Sequence, residues 1–427
     1  MKKYSFLLFT LLFVNLLQAQ LMNSNSYRNS NNPLYWQNRK PHAAYWQQDV
    51  HYNIAARIDE EAKKIDAIED LEYFNNSPDT LQFVYFHLYQ NAFINKSYLR
   101  ALEKANYAQA TLGPNERVGK GIEINAISVD GANVNVELDN TILKVYLPKP
   151  LLPNDKVNLS LMFTTYYDRT ATRRRMQMYN AWGFTHFNGV QWYPKISVYD
   201  AKFGWDTYQH LNKEFYGDFG SFDVQLDFPS NYIVEATGVL QNKNEVLPDS
   251  LLQKIDVKNF AKAKPNDTPS IIIPYEKGKR KIWKFHADNV HDFAFTADPS
   301  YRMSIVDWEG IKCVGLVQEP HAATWQNSAS FVAKIIQTFS RDFGRYQYPK
   351  MVAADANDGM EYPMLTLDGG GDPDYRGLLI HEIAHNWFYG MVGNNETYRA
   401  SLDEGFTQYL TASVSYTHLR AHETLMN

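Results

Sequence analysis

Two histidines four residues apart, His381 and His385, enclose Glu382, and eighteen residues, 386–403, then separate them from Glu404. On a helix, residues four apart project from one face, so both imidazoles can reach one metal ion. The neighbours Leu378, Leu379, Ile380 and Trp387 suit a mostly buried helix. Glu382 cannot point the same way as both histidines, but it lies beside such an ion, where a carboxylate can take a proton from a bound water. A catalytic zinc uses three protein ligands and keeps one position open, and Glu404 can supply the third ligand. Asp403 is the weaker candidate for that place. Two other readings stay open at this point. The histidines can be satisfied core or surface residues, and Ser401 and Glu404 have capping-box spacing, which would leave Glu404 bonding only the start of its own helix.

Ahead of this pattern the texture is that of strands. Val50, Tyr52, Ile54, Ala56 and Ile58 alternate with mostly polar neighbours, and 81–89, 143–147 and 222–228 repeat the pattern between turn clusters at 75–79 and 152–155. The alternation predicts a large, mainly β domain over 44–297. Residues 60–74 satisfy both periods, because Ile65, Ile68 and Leu71 also fall on one helical face, and stay open. The polar, proline-punctuated stretch 262–281 predicts a surface loop, with strands resuming at Trp283 and Phe293. After Asp298-Pro299 the pattern turns helical, with Phe331, Ile335, Phe339 and Phe343 on one face, which predicts a second domain over 298–413.

Lys2 and Lys3 precede an apolar run, 6–17, and then Ala19, which reads residues 1–19 as a secretory signal and places the mature chain in the periplasm or outside the cell. That run is shorter than the roughly twenty residues a membrane span needs, and no later stretch is long and apolar enough. The Asn- and Ser-rich residues 20–43 read as a mobile lead-in. Cys313 is the single cysteine, so no intrachain disulfide forms, stability rests on packing, and the thiol is expected to be buried. A formal net charge of -5 lacks the basic excess that nucleic acid requires of a partner. The basic run 173–175 reads as a solvated loop or a patch for an acidic partner.

The metal pattern resembles the signature of the M1 family of zinc aminopeptidases, or gluzincins: H-E-x-x-H, eighteen residues, then E. Upstream, Asp358-Gly359-Met360-Glu361-Tyr362-Pro363 is similar to the family's G-x-M-E-N motif, whose glutamate binds the free α-amine of the substrate. Asp358 stands where the first glycine is usual, Tyr362 where asparagine is usual, and Ser401 replaces the tryptophan common before L-[ND]-E-G. Trp192-Tyr193-Pro194, residues 214–220 and Ala236-Thr237-Gly238 resemble recurring segments of the family's saddle-shaped first domain, so the resemblance covers about 44–412.

The resemblance implies an α+β multidomain fold, with a mainly β saddle-like domain followed by part of a thermolysin-like catalytic domain. It implies one Zn²⁺ per chain on His381, His385 and Glu404, with Glu382 as general base. Glu361, with Gly359 and Met360, would bind the substrate, a peptide with a free N-terminus. Glu361 also has a plainer reading, an edge-strand carboxylate that is solvated or paired with a lysine or arginine. Residues 414–427 break from the family pattern and are expected to be non-native, and His418 and His422, which share metal spacing, are set aside as a decoy. The family's transition-state tyrosine and helical C-terminal domain are expected beyond this point, making the chain a truncated member expected to turn over little substrate alone. The competing readings are a zinc endopeptidase and a non-catalytic M1-like interaction protein. Side-chain preference and oligomeric state stay open.

Overall fold

The structure is a computed structural model, and it describes residues 31, 35, 38, 45–108, 110–168 and 176–414. The signal reading of 1–19, nearly all of the lead-in, the basic run 173–175 and the tail beyond Val414, with His418 and His422, lie outside the described residues.

The alternation at 50–58 becomes the strand Asp49–Asp59, which buries Val50, Tyr52, Ile54, Ala56 and Ile58 on one face. It lies inside an eight-stranded sheet, parallel to Gly220–Pro229 on one side and antiparallel to Lys64–Phe74 on the other. The segment that satisfied both periods is therefore largely strand. A turn containing Lys63, at φ 56°, reverses the chain, and Lys64–Phe74 then pairs along its whole length with both Asp49–Asp59 and Lys156–Tyr166. Two ladders of backbone hydrogen bonds outweigh a short helical stripe, because each buried N–H and C=O must find a partner. Ile68, which the helical reading would bury, faces outward instead.

Two four-stranded sheets add to this β region. One joins Ile233–Ala236, Phe295–Asp298, Phe184–Gly189 and Gln177–Ala181, and the other is built around Leu81–His87 and Ile142–Leu151. The abundant aromatics form much of the core. Trp192 and Trp283 are fully buried, and Tyr52 stacks on Phe222 with centroids 4.5 Å apart. This packing takes the place of disulfides. The stretch 262–281 carries no strand until Arg280, and it is pinned at Ser270, whose carbonyl accepts from Arg302 Nη2 and whose N–H donates to Glu319.

Beyond residue 298 a five-stranded sheet runs in the order Tyr301–Trp308, Ile311–Gln318, Lys350–Asp355, Leu365–Asp368, Met360–Tyr362. The helix Ser328–Phe343 packs on it through Val332, Ile335, Ile336 and Phe339, while Phe331 and Phe343 are only partly covered. Cys313 is buried in the second strand of this sheet. Three features position the site: the short edge strand Met360–Tyr362, the helix Arg376–His385 and the helix Glu404–Val414.

Candidate metal centre

The helix Arg376–His385 buries Leu379, Ile380, Ile383 and Ala384, which leaves His381 and His385 on a face turned toward the start of Glu404–Val414. Their Nε2 atoms are 3.2 Å apart. Glu404 Oε2 lies 3.3 Å from His381 Nε2 and 3.7 Å from His385 Nε2. Donors held tetrahedrally at about 2.0–2.1 Å from a zinc ion sit roughly 3.3 Å from one another, so this triangle already has the size that zinc requires. The donor set fits in its chemistry too. Asp403 Oδ1 lies 2.5 Å from His385 Nδ1, so the second ring nitrogen is taken up and Nε2 can present its lone pair. Asp403 is thus turned to the rear of His385 rather than into the triangle. Nor is Glu404 the third residue of a helix capped by Ser401: the helix begins at Glu404 itself, after a 3-10 turn over Ala400–Leu402, and Ser401 is exposed.

Glu382 and Glu361 border this triangle. One oxygen of each and one ring nitrogen of His385 lie within 4.8 Å of one another. Glu361 is only 4% exposed and is hydrogen-bonded to Glu382, so it is not the solvated edge-strand carboxylate of the plainer reading. Burial, followed by the charge of Glu361, holds the Glu382 carboxyl well above the ordinary carboxylate range. Burial opposes the charged form of His385, but Glu361, Asp403 and Glu404 together outweigh it and raise the ring to about 9. Met360 is buried on the edge strand. Gly359 sits so close to the site that a Cβ there would lie 3.4 Å from Glu382 Oε1.

Compared with solved structures, the chain aligns with an M1 zinc metallopeptidase from Deinococcus radiodurans at a TM-score of 0.55 and 14% identity, covering 86% of this chain and 69% of that one. The chain has the M1 zinc metallopeptidase fold. A mutant of the same Deinococcus protein bound to a Tyr-Ser-Ala substrate aligns at a TM-score of 0.56 and 14% identity, over 86% of this chain and 70% of that one. In sequence, 77 residues are 36% identical to aminopeptidase B of Rattus norvegicus, a stretch that spans 17% of this chain and 12% of that relative's length. No family model matches the chain.

Several residues that hold this M1 fold together around the site carried little sequence signal. Asn386 follows His385 directly. Its Oδ1 accepts from Met364 N at 2.9 Å and from Tyr346 OH at 3.2 Å, which ties the hairpin bearing Glu361 to the helix bearing His381 and His385. Tyr362 reaches into the β region, where its hydroxyl meets the Gln191 amide at 2.9 and 3.2 Å. Asn188 Nδ2 donates to Ala356 O at 3.0 Å, just ahead of the motif. Asp403 and Tyr362 do carry a signal, the one as an acid beside Glu404 and the other as a motif position. A cavity of about 620 Å³, walled by Tyr199, Phe215, Asp218, Tyr389 and Leu402, lies against the segment preceding Asp403 and includes neither the triangle nor the Glu361–Glu382 pair.

Proposed function

We propose that the chain carries the metal centre of a zinc aminopeptidase, with peptides bearing a free N-terminus as its substrates. The observation that carries this reading is the convergence of His381, His385 and Glu404 at zinc-like separations beside two buried carboxyl groups, Glu361 and Glu382. Zinc held there would polarise the scissile carbonyl and acidify a water molecule. Glu382 accepts the proton of the attacking water and passes it to the departing amine. Glu361, one short strand away, faces the substrate's α-ammonium and so measures a single residue from the N-terminus. An ammonium at Glu361 also neutralises the charge that opposes ionisation of Glu382. An acylated or internal amine would leave Glu361 buried without a counter-charge, which disfavours internal cleavage. The leader-like pattern of residues 1–19 supports an exported setting.

Metal analysis of the purified protein tests the core of this reading. About one zinc per chain is expected, retained by Glu382→Gln and lost by His385→Ala. In a form of the protein that turns over substrate, Glu382→Gln should be inactive while still loaded. An active Glu382→Gln enzyme, or a His385→Ala protein that binds zinc as the parent does, would overturn the assignment.

A further inference from the structure

The cavity beside the segment that precedes Asp403 has no part in the chemistry above. Its volume of about 620 Å³ lies within the roughly 300–1,000 Å³ of small-molecule sites. Aromatic rings supply much of its wall, among them Trp46, Tyr199, Phe215, Tyr216, Phe219 and Tyr389. Trp46 stacks on Tyr199 with centroids 5.3 Å apart, and Tyr389 meets His291 edge to face at 4.3 Å, so these rings are held in place. Ser401 also lines the cavity, at the position where the family pattern carries tryptophan.

One acid in this wall lacks what a buried charge needs. Asp218 is 9% exposed, and its Oδ2 has no hydrogen-bond partner among the described residues. Burial, then the charges of Asp49 and Asp200, hold its carboxyl well above the usual range, against Lys195, which is committed to Asp292 at 3.1 Å. Asn394 Oδ1 and the Tyr389 hydroxyl, on residues lining the same cavity, are also buried without a partner among the described residues. All three oxygens can accept a hydrogen bond, and orphaned polar groups of this kind are rare enough to need a cause. Asp200, the other acid in the wall, is taken up by Tyr216 OH and by the N–H groups of Lys202 and Phe203.

A carboxylate, further acceptors and ring faces together match a ligand with N–H donors, a positive charge and an apolar body. Lys202 and Arg399 hold exposed wall positions over the Tyr398 ring, where they repel a second positive charge. We infer that this cavity is a second binding site, for a small organic monocation: a primary ammonium on an aromatic or apolar body, with Asp218 as its counter-charge. The site stands apart from the metal centre, since the cavity includes neither the ligand triangle nor Glu361.

Calorimetry on the purified full chain tests this with three probes and three variants. Phenethylammonium should bind saturably. 2-Phenylethanol, which has the shape without the charge, and spermidine, which has several charges and no ring, should each bind about tenfold more weakly or worse. Asp218→Asn should weaken phenethylammonium by about tenfold or more. Glu361→Ala, at the metal centre, should leave it within about twofold. Thermal melts identify a variant that does not fold. Should Asp218→Asn be such a variant, Ser401→Trp, which fills the cavity from another wall, decides in its place and should weaken the amine likewise. No saturable binding, equal affinity for phenethylammonium and 2-phenylethanol, or full-strength binding to folded Asp218→Asn would overturn the inference. Binding that Glu361→Ala abolishes and Asp218→Asn keeps would overturn it too, by placing the amine at the metal centre, and would leave the function proposed above standing.

Discussion

Replacing Glu361 by alanine isolates what a charge at that place does for binding. The carboxyl is 4% exposed and hydrogen-bonded to Glu382, itself 5% exposed, so a ligand ammonium meeting it would be almost fully desolvated. Removing one partner of a desolvated, hydrogen-bonded charge pair costs about 2–5 kcal/mol. Here the lower half of that range applies, because Glu382 stays next to the vacated position and keeps part of the attraction. At about 1.4 kcal/mol per factor of ten, a loss of about 2–3 kcal/mol is roughly a 30- to 150-fold weakening. Calorimetry on the zinc-loaded protein with leucine hydroxamate and with its N-acetylated form measures this without any need for turnover. Glu361→Ala should weaken the free-amine ligand by that factor and leave the acetylated one within about twofold. Equal losses for both ligands would show that Glu361 shapes the site rather than reading the amine, and no loss for either would return the endopeptidase alternative to first place.

Asn386→Ala removes the acceptor of Met364 N in a fully buried setting, while Tyr346 OH keeps Lys350 O at 3.0 Å, so urea unfolding should show a loss of about 1–3 kcal/mol for one stranded donor; a loss below about 0.5 kcal/mol would refute the tie. Glu69 is fully buried with neither oxygen partnered among the described residues, and burial, then Asp70, holds its carboxyl well above the ordinary 4.5. The folded parent then keeps a proton that the unfolded chain releases, so the parent loses about 1.4 kcal/mol of stability per pH unit above about 4.5 while the folded carboxyl stays protonated. Glu69→Leu lacks that slope, and its advantage in urea unfolding should grow from pH 4.5 to pH 6.5; parallel curves would contradict the burial argument. His286 is raised from 6.5 to about 10 by hydrogen bonds to Asp223 and Asp288, against burial. Its stabilising contribution is therefore complete below pH 6.5 and lost as pH rises toward 10, so Glu or Gln at this position is less informative than His286→Phe, whose stability should be flatter than the parent's across that window. Identical pH profiles would show that the ion pairs contribute nothing.

The parts of this molecule that sequence makes legible are those whose geometry is local. Alternation at 50–58 and the four-residue spacing of His381 and His385 are properties of a strand and a helix, and neither depends on what lies across the chain. The stretch 60–74 could not be resolved that way, since its strand character comes from pairing on both edges with residues that are near only in space. The same holds within the site. Glu404 can be named because it belongs to a spaced pattern, whereas the work of Asn386 depends on Met364 and Tyr346 approaching it through the fold. The capping-box reading of Ser401 and Glu404 is equally permissible on spacing, and it fails only because the helix starts two residues later than that box requires.

The hydrogen bonds between Tyr362 and Gln191 give the motif's departure from asparagine a consequence for how such chains can change. An asparagine at 362 would agree with the family pattern yet be too short to span the seam, and it would leave the Gln191 amide, 4% exposed, facing an unfilled space. The two positions are therefore epistatic. A change at either position alone removes this pair of hydrogen bonds, so an asparagine at 362 that looks like a repair from the motif alone would here be a lesion. Chimeras joining this β region to a different second domain inherit the same constraint, so positions 191 and 362 need to travel together.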